Sequence, residues 1–189
     1  MVYPRLVKAT NAEAAPVCTL KSRINLLVGP PSDPERLPEM MGCFFSEEGK
    51  HVVCGGTTSI LAAEFLHKPL ETLLPGHLDP VVPPVARIDG VDLVTEGFIT
   101  IGRVLEYARN YRAGTASAAP WNTGEDGASK IARILLEEAE ELTLYVGGAV
   151  NPAYQAGEIV SGYRDKIGLL KELESCLRNR GKPIQVHYF

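Results

Sequence analysis

A chain of 189 residues with a net charge of −4 fits one domain of ordinary size, and it is long enough to bury a full hydrophobic core. The composition, 45% hydrophobic and 22% charged, is that of a soluble globular protein, and the scattered lysines and arginines exclude a basic surface for nucleic acid. No apolar run is long enough to span a bilayer, and no signal-peptide core follows Met1. We therefore expect a cytoplasmic protein without nucleic-acid or membrane partners.

The four cysteines and four histidines are widely separated, and no Cys-x-x-Cys pair is present. This spacing argues against a disulfide framework and against a zinc site, so reduced thiols are the expected state. The sequence requires no metal and no cofactor.

Short apolar strands alternate with helices along most of the chain. The predicted elements are, in chain order, a strand at 23–28, a short helix ending near 47, a strand at 51–54, a helix ending near 67, a strand at 86–94 broken at Asp89-Gly90, a helix at 99–111, a helix at 127–140 capped by Asp126, a strand at 142–146, a helix at 164–180 and a strand at 184–188. We expect an α/β fold with a mainly parallel open sheet of about five strands and helices on both faces, a three-layer, Rossmann-like arrangement.

Three segments are predicted to lack regular structure. Residues 1–22 have little periodicity and are interpreted as an extended lead-in or linker stub, which leaves 23–189 as a single α/β domain. Residues 68–84 hold five prolines and are interpreted as a long connection. Residues 112–124 are rich in small and polar side chains, which predicts a mobile surface loop with Trp121 inside it.

Glycine-rich or polar turns follow four of the predicted strands. In parallel α/β sheets the carboxyl ends of the strands share one edge, and ligands bind there. The four turns together therefore favour a common ligand-binding cleft, although each glycine alone could simply relieve backbone strain. The candidate ligand-binding residues, none of them catalytic, are Gly29, Gly55, Gly56, Thr57, Thr58, Thr95, Glu96, Gly97, Gly147 and Asn151.

The turn Gly55-Gly56-Thr57-Thr58 is the most informative of the four. It stands between a strand and a helix, so free N–H groups and the helix dipole would favour an anion there, with the threonine hydroxyls as further donors. The turn is similar to the Gly-Thr-Thr or Gly-Ser-Thr turns of sugar-phosphate isomerases and sugar-phosphate sensing domains, a similarity that implies a bound phosphate. The alternative is plain N-capping by threonine.

Two side chains beside these turns each have a functional and a structural interpretation. Cys54 precedes the glycines, where a helix N-terminus can activate a thiol, but a buried strand cysteine is the more common case. Glu96 could act as a base or bind a hydroxylated or cationic group, or it could simply complement the dipole of the next helix.

A longer series of motifs resembles the C-terminal region of the bacterial stage II sporulation protein E family, relatives of type 2C metal-dependent phosphatases. The matching segments are spread over roughly residues 23–189. They are, in order, residues 24–31, 33–34, 49–50, 52–58, 90–97, 126–129, 146–147, 151–152 and 188–189. The chain lacks the Asp-Gly-x-Gly and Gly-Asp-Asp metal motifs of the phosphatases, and its α/β pattern differs from their β-sandwich.

The resemblance therefore implies an accessory domain, regulatory or ligand-sensing, beside a phosphatase-like domain that would be its partner. Two alternatives stay open. The chain is a binding protein or enzyme for a small phosphorylated metabolite, or it is a structural dimerisation domain.

Overall fold

The computed structural model describes residues 22–73, 85–112, 120–149 and 162–189. Of the lead-in predicted at residues 1–22, only Ser22 is described. The candidate ligand-binding residue Asn151 also lies outside the described residues. The strands are β1 (Arg23–Val28), β2 (Lys50–Cys54), β3 (Glu71–Leu73), β4 (Val85–Arg87), β5 (Leu93–Thr95), β6 (Glu141–Val146) and β7 (Ile184–Tyr188). The α-helices are α1 (Leu37–Ser46), α2 (Gly56–Leu66), α3 (Phe98–Arg112), α4 (Gly127–Ala132) and α5 (Gly162–Arg178).

The strands of the described residues form one seven-stranded sheet in the order β3-β4-β5-β2-β1-β6-β7. The pairs β5-β2, β2-β1, β1-β6 and β6-β7 are parallel, and the pairs β3-β4 and β4-β5 are antiparallel. The α/β class and the mainly parallel sheet are confirmed. The parallel strands follow the doubly wound order, in which the chain changes direction across the sheet between β1 and β6.

The predicted count of about five strands was wrong at the antiparallel side of the sheet. The single broken strand expected at 86–94 is two strands, because Gly90 adopts a φ of +90° and the chain reverses around it. Strand β3 lies inside the proline-rich connection predicted at 68–84, and residues 74–84 of that connection fall outside the described part. A three-residue strand between prolines has no periodicity that would reveal it.

Helices cover both faces of the sheet and divide the core into two clusters. Buried side chains of α3, α4 and α5 pack on one face, around Leu26, Val52 and Leu144. Those of α1 and α2 pack on the other face, around Leu27, Val53 and Tyr145. Strand β1 therefore contributes to both clusters, because alternate side chains point to opposite faces.

The surface loop predicted at 112–124 was wrong at Trp121, which lies inside that segment and is fully buried. Its ring packs near those of Tyr107 and Tyr111, with centroid distances of 5.6 and 5.2 Å. The indole N–H donates to a Glu137 carboxylate oxygen at 2.7 Å, and Arg133 donates to the Trp121 carbonyl at 2.8 Å. Small neighbouring residues predicted a surface loop, but the large apolar area of indole outweighed them. Residues 113–119 lie outside the described part.

The predicted cap at Asp126 is confirmed. Its carboxylate accepts hydrogen bonds from the Ser129 N–H at 3.0 Å and the Ser129 hydroxyl at 2.6 Å. The helix continues beyond α4 as a π-helical segment, Arg133–Glu138, and ends before residue 140.

Candidate functional site

The carboxyl ends of β5, β2, β1 and β6 are neighbours along one edge of the sheet, as the sequence predicts. Three of the four turns follow these strands within the described residues, and the fourth is described as far as Ala149. Hydrogen bonds and close contacts among the described residues bring these turns together as two pairs, which differ in how much of the turn is accessible.

The first pair, after β1 and β6, is closed by the chain itself. The Gly147 N–H donates to the Val28 carbonyl at 3.0 Å, and the Ala149 N–H donates to the Pro30 carbonyl at 3.1 Å. A Cβ on Gly147 would lie 2.0 Å from the Pro30 carbonyl oxygen and 2.3 Å from that of Gly29. The two turns are thus in backbone contact at the point where ligands of doubly wound folds usually bind.

Two further groups complete this closure. The carbonyl oxygen of Phe189 accepts hydrogen bonds from the Gly148 N–H at 2.7 Å and the Ser32 N–H at 3.2 Å. The Lys166 ammonium donates to the carbonyl oxygens of Gly147 at 2.6 Å and Ala149 at 3.0 Å. Burial lowers the pKa of Lys166, because desolvation disfavours the charged ammonium. This role of Lys166 was not predictable from the sequence, because a lone lysine near a helix start usually lies in solvent.

The second pair, after β2 and β5, is built from main chain and remains partly open. The Gly55 N–H donates to the Thr95 carbonyl at 2.9 Å, and a Cβ on Gly97 would lie 3.2 Å from the Gly55 Cα. Gly55 has a φ of +129°, a conformation that favours glycine. Thr95 is buried, Glu96 and Gly97 are half-buried, and Gly56 and Thr57 are exposed.

Helix α2 begins at this second pair without a side-chain cap. Gly55 is the N-cap residue, so the predicted alternative of threonine N-capping was wrong. The Gly55 carbonyl accepts from the Ser59 N–H at 2.8 Å and the Ser59 hydroxyl at 2.7 Å, while Thr58 is buried. The first turn of α2 holds no acidic residue, and its leading N–H groups have no partner within the helix.

Cys54 is a buried strand cysteine and not an activated thiol, as its structural interpretation predicts. It is fully buried, and its thiol donates to the Glu96 carbonyl at 2.9 Å. Burial raises the pKa of the Cys54 thiol to about 12, because desolvation disfavours the thiolate. The thiol is therefore neutral at physiological pH, which makes it a poor nucleophile.

The thiols provide a direct test of this burial. We expect an alkylating reagent to label the exposed Cys43 in the native protein and to leave Cys54 and Cys176 unmodified until denaturant is added. Peptide mapping by mass spectrometry after labelling with and without denaturant measures this. Rapid native labelling of Cys54 would contradict the packing of the β2 end.

The remaining features leave the second pair as the candidate site. Among the described residues, no group of three or more His, Cys, Asp or Glu side chains is placed to hold a metal ion. A surface groove of about 510 Å³ runs beside the later turns of α2, lined by Ile60, Ala63, Glu64, His67, Lys68 and Leu70, and contains none of the predicted site residues.

Comparison of the chain with protein-family models, with curated proteins and with solved structures finds no match. In the part of the chain that the structure describes, no helix has the length and apolar character needed to cross a membrane.

Proposed function

We propose that this chain is a ligand-sensing α/β domain that binds a small phosphorylated ligand at the first turn of α2. The observation that carries the proposal is the exposed start of α2, where Gly56 and Thr57 face solvent and Gly55 supplies no side-chain cap. Leading N–H groups and the helix dipole favour a bound anion in such a place.

The turns after β1 and β6 also support placing the ligand at the start of α2, because contacts within the chain already occupy their main-chain groups. The turns after β1 and β6 have their main-chain groups bonded to each other, to Phe189 and to Lys166. A ligand there would have to displace these contacts. The turns after β2 and β5 require no such rearrangement, so Gly55, Gly56 and Thr57 form the core of the proposed site.

Glu96 favours one kind of phosphorylated ligand over others. Glu96 is a half-buried residue that precedes Gly97, and Gly97 approaches Gly55 closely. A negative side chain beside an anion site disfavours inorganic phosphate, but it can accept hydrogen bonds from hydroxyl groups. A sugar phosphate, which carries an anion and hydroxyls together, fits this combination.

The biological role that we propose is regulatory. The motif series and the missing phosphatase metal motifs support an accessory domain, in the cytoplasm, whose ligand occupancy is passed to a phosphatase-like domain. The buried, neutral Cys54 gives the site no activated nucleophile among its described residues, which supports sensing over covalent catalysis.

Ligand-dependent thermal stabilisation tests the proposed function. A panel of nucleotides, sugar phosphates and the matching unphosphorylated sugars is added at millimolar concentration, and the melting temperature is followed by the fluorescence of Trp121. We expect at least one sugar phosphate to raise the melting temperature while its unphosphorylated sugar does not. The absence of any shift across the panel would rule out the proposal.

Gly56→Asp locates the binding site without a steric change. A Cβ at Gly56 meets no atom within 4 Å, so the substitution fits, and its carboxylate would occupy the start of α2 as an internal anion. We expect the variant to keep or slightly raise its stability, by about 0.3–1 kcal/mol from the dipole interaction, and to lose the ligand-induced shift.

Gly56→Ala is the matched control, because it adds the same Cβ without the charge. This variant should retain the ligand-induced shift. Thr57→Ala should weaken binding with the fold intact, because it removes the exposed hydroxyl donor, whereas the Thr58 side chain is buried. If Gly56→Asp binds the ligand as well as Gly56→Ala does, the site lies elsewhere.

A further inference from the structure

The helices that follow β2 and β5 leave the sheet on opposite faces. Ala62 of α2 packs in the cluster around Val53, whereas Ile101 of α3 packs in the cluster around Val52 on the other face. Strands β2 and β5 are parallel neighbours. Connections that leave two neighbouring parallel strands toward opposite faces open a crevice outside the strand ends, where α/β sheets bind their ligands. The ends of β2 and β5 therefore have the topology of a binding crevice.

Both helices begin at glycines that contact each other in this crevice. The Gly55 carbonyl accepts from the Ser59 N–H at 2.8 Å, and the Gly97 carbonyl accepts from the Ile101 N–H at 3.2 Å, so each glycine accepts the first hydrogen bond of its helix. A Cβ on Gly97 would lie 3.2 Å from the Gly55 Cα. Neither first turn contains an acidic residue. Two helix N-termini, each equivalent to about half a positive charge, therefore lie side by side.

The first turn of α3 also holds a buried hydroxyl group without a hydrogen-bond partner. Thr100 is 2% exposed, and nothing in the described part of the chain accepts from or donates to its hydroxyl. A buried donor without a partner is unfavourable, and such groups are rare in folded proteins. A ligand that brings an acceptor to this hydroxyl therefore gains free energy that a solvent-exposed hydroxyl would not supply.

The contacts of two threonine methyl groups give the direction of the Thr100 hydroxyl. Side chains in a helix lean toward its N-terminus, so that of Thr100 lies over the first turn of α3. A Cβ on Gly127 would lie 3.0 Å from the Thr95 methyl carbon and 3.8 Å from that of Thr100, so both methyl groups face the start of α4. The Thr95 hydroxyl, on the other side, donates to the Glu96 carbonyl at 3.1 Å. The Thr100 hydroxyl is likewise turned away from α4 and toward the turn between β5 and α3.

We propose that the phosphate of the ligand lies in the crevice between β2 and β5, where it accepts hydrogen bonds from the first turns of both α2 and α3 and from the Thr100 hydroxyl. This inference rests on the proposed function, to which it adds a second helix and a buried donor. The two N-termini together supply about one positive charge. Glu96 remains the partner of the hydroxyl groups of the ligand.

The three groups of donors favour a terminal phosphomonoester as the ligand. A phosphomonoester has three acceptor oxygens and a charge of about −1.5 to −2 at pH 7. A phosphodiester has one free oxygen fewer and a single negative charge, so one group of donors would remain without an acceptor. We expect the diester of the same compound to bind roughly tenfold or more weakly than the monoester.

Thr100→Val tests the buried donor with glycerol phosphate as the probe, titrated into the full chain by calorimetry. We expect the variant to bind the probe roughly tenfold or more weakly than the wild type, because valine cannot donate. Without ligand it should melt at or above the wild-type temperature, since it loses an unpartnered polar group. A purely structural role of the hydroxyl would lower that temperature. Thr100→Ser keeps the hydroxyl and should bind the probe as the wild type does.

Ile99→Asp tests the contribution of α3 independently of Thr100. Ile99 is 63% exposed in the first turn of α3, so an aspartate fits there and its carboxylate competes with the phosphate for the helix N-terminus. We expect roughly tenfold weaker binding of glycerol phosphate, as for Gly56→Asp at the start of α2. Ile99→Asn has nearly the same shape as the aspartate without its charge, and it should bind the probe more tightly than Ile99→Asp.

The same titrations separate a failure of this inference from a failure of the proposed function. If neither glycerol phosphate nor any sugar phosphate stabilises the wild type, the proposed function fails and this inference fails with it. If the wild type binds the probe but either Thr100→Val or Ile99→Asp keeps its affinity, the phosphate does not lie between the two helices, and this inference alone is overturned. Equal binding of glycerol phosphate and its methyl diester would overturn the assignment of a phosphomonoester.

Discussion

Trp121→Ala is expected to lower the free energy of unfolding by about 3–5 kcal/mol, the range for truncation of a fully buried large aromatic side chain. The indole is buried between Tyr107, Tyr111 and the π-helical segment, and its N–H is bonded to Glu137. Alanine would leave a cavity under α3 and α4 and would remove that bond. Urea denaturation followed by far-UV circular dichroism measures the change, since the variant lacks the only tryptophan.

Trp121→Phe separates packing from hydrogen bonding. Phenylalanine keeps most of the aromatic volume but cannot donate to Glu137, which is exposed and can return to water. We expect this variant to lose clearly less stability than Trp121→Ala. An alanine variant that costs less than about 1 kcal/mol would contradict the buried position of the ring, because a surface substitution has an effect of that size.

The predicted surface loop was wrong at Trp121 because the sequence signal is local, whereas the contacts of the indole are with residues distant in the sequence. Ala, Gly, Ser and Thr around position 121 favour a surface loop, whereas the partners of the indole, Tyr107, Tyr111 and Glu137, lie on α3 and the π-helical segment. A large apolar side chain inside a polar segment is a sign that the segment packs onto the core. The cap at Asp126 was predictable, because its partner Ser129 is only three residues away.

The difference between local sequence signals and tertiary contacts also explains which parts of the sheet and of the candidate site were predictable. Strands β1 and β7 were predicted correctly from their apolar runs and the glycines next to them, and the parallel arrangement followed from alternation with helices. The contacts that bring the turns after β1 and β6 together were not predictable. They depend on Phe189, Ser32 and Lys166, which approach the turns only through tertiary structure.

The glycines in the two pairs of turns at this sheet edge have different structural roles. At β1 and β6 the glycines allow loops to approach each other, so their conformational freedom is used for packing. At β2 and β5 the glycines allow the backbone to approach without closing over the start of α2. Glycine after a strand is therefore not evidence of a ligand site by itself, and the hydrogen-bond partners of the turn decide between the two.

Gly147→Ala should be the most damaging single methyl addition along this edge. The new Cβ would lie 2.0 Å from the Pro30 carbonyl oxygen, a backbone atom that cannot rotate away. The loop after β6 would have to shift, and its bonds to Val28 and Phe189 would lengthen. We expect a loss of about 2–4 kcal/mol, from overpacking together with one or two weakened hydrogen bonds, measured by urea denaturation of the purified variant.

Two glycine variants calibrate that result. At Gly148 an added Cβ would meet the Ser32 hydroxyl at 2.0 Å, but that side chain can rotate, so Gly148→Ala should cost less than Gly147→Ala. At Gly102, inside α3, a Cβ meets nothing within 4 Å, so alanine should stabilise the protein by about 0.5–1 kcal/mol through its higher helix propensity. Equal stabilities for Gly147→Ala and the wild type would show that the turns after β1 and β6 are not in contact, and the crevice between these strands would then compete with the start of α2 as the ligand site.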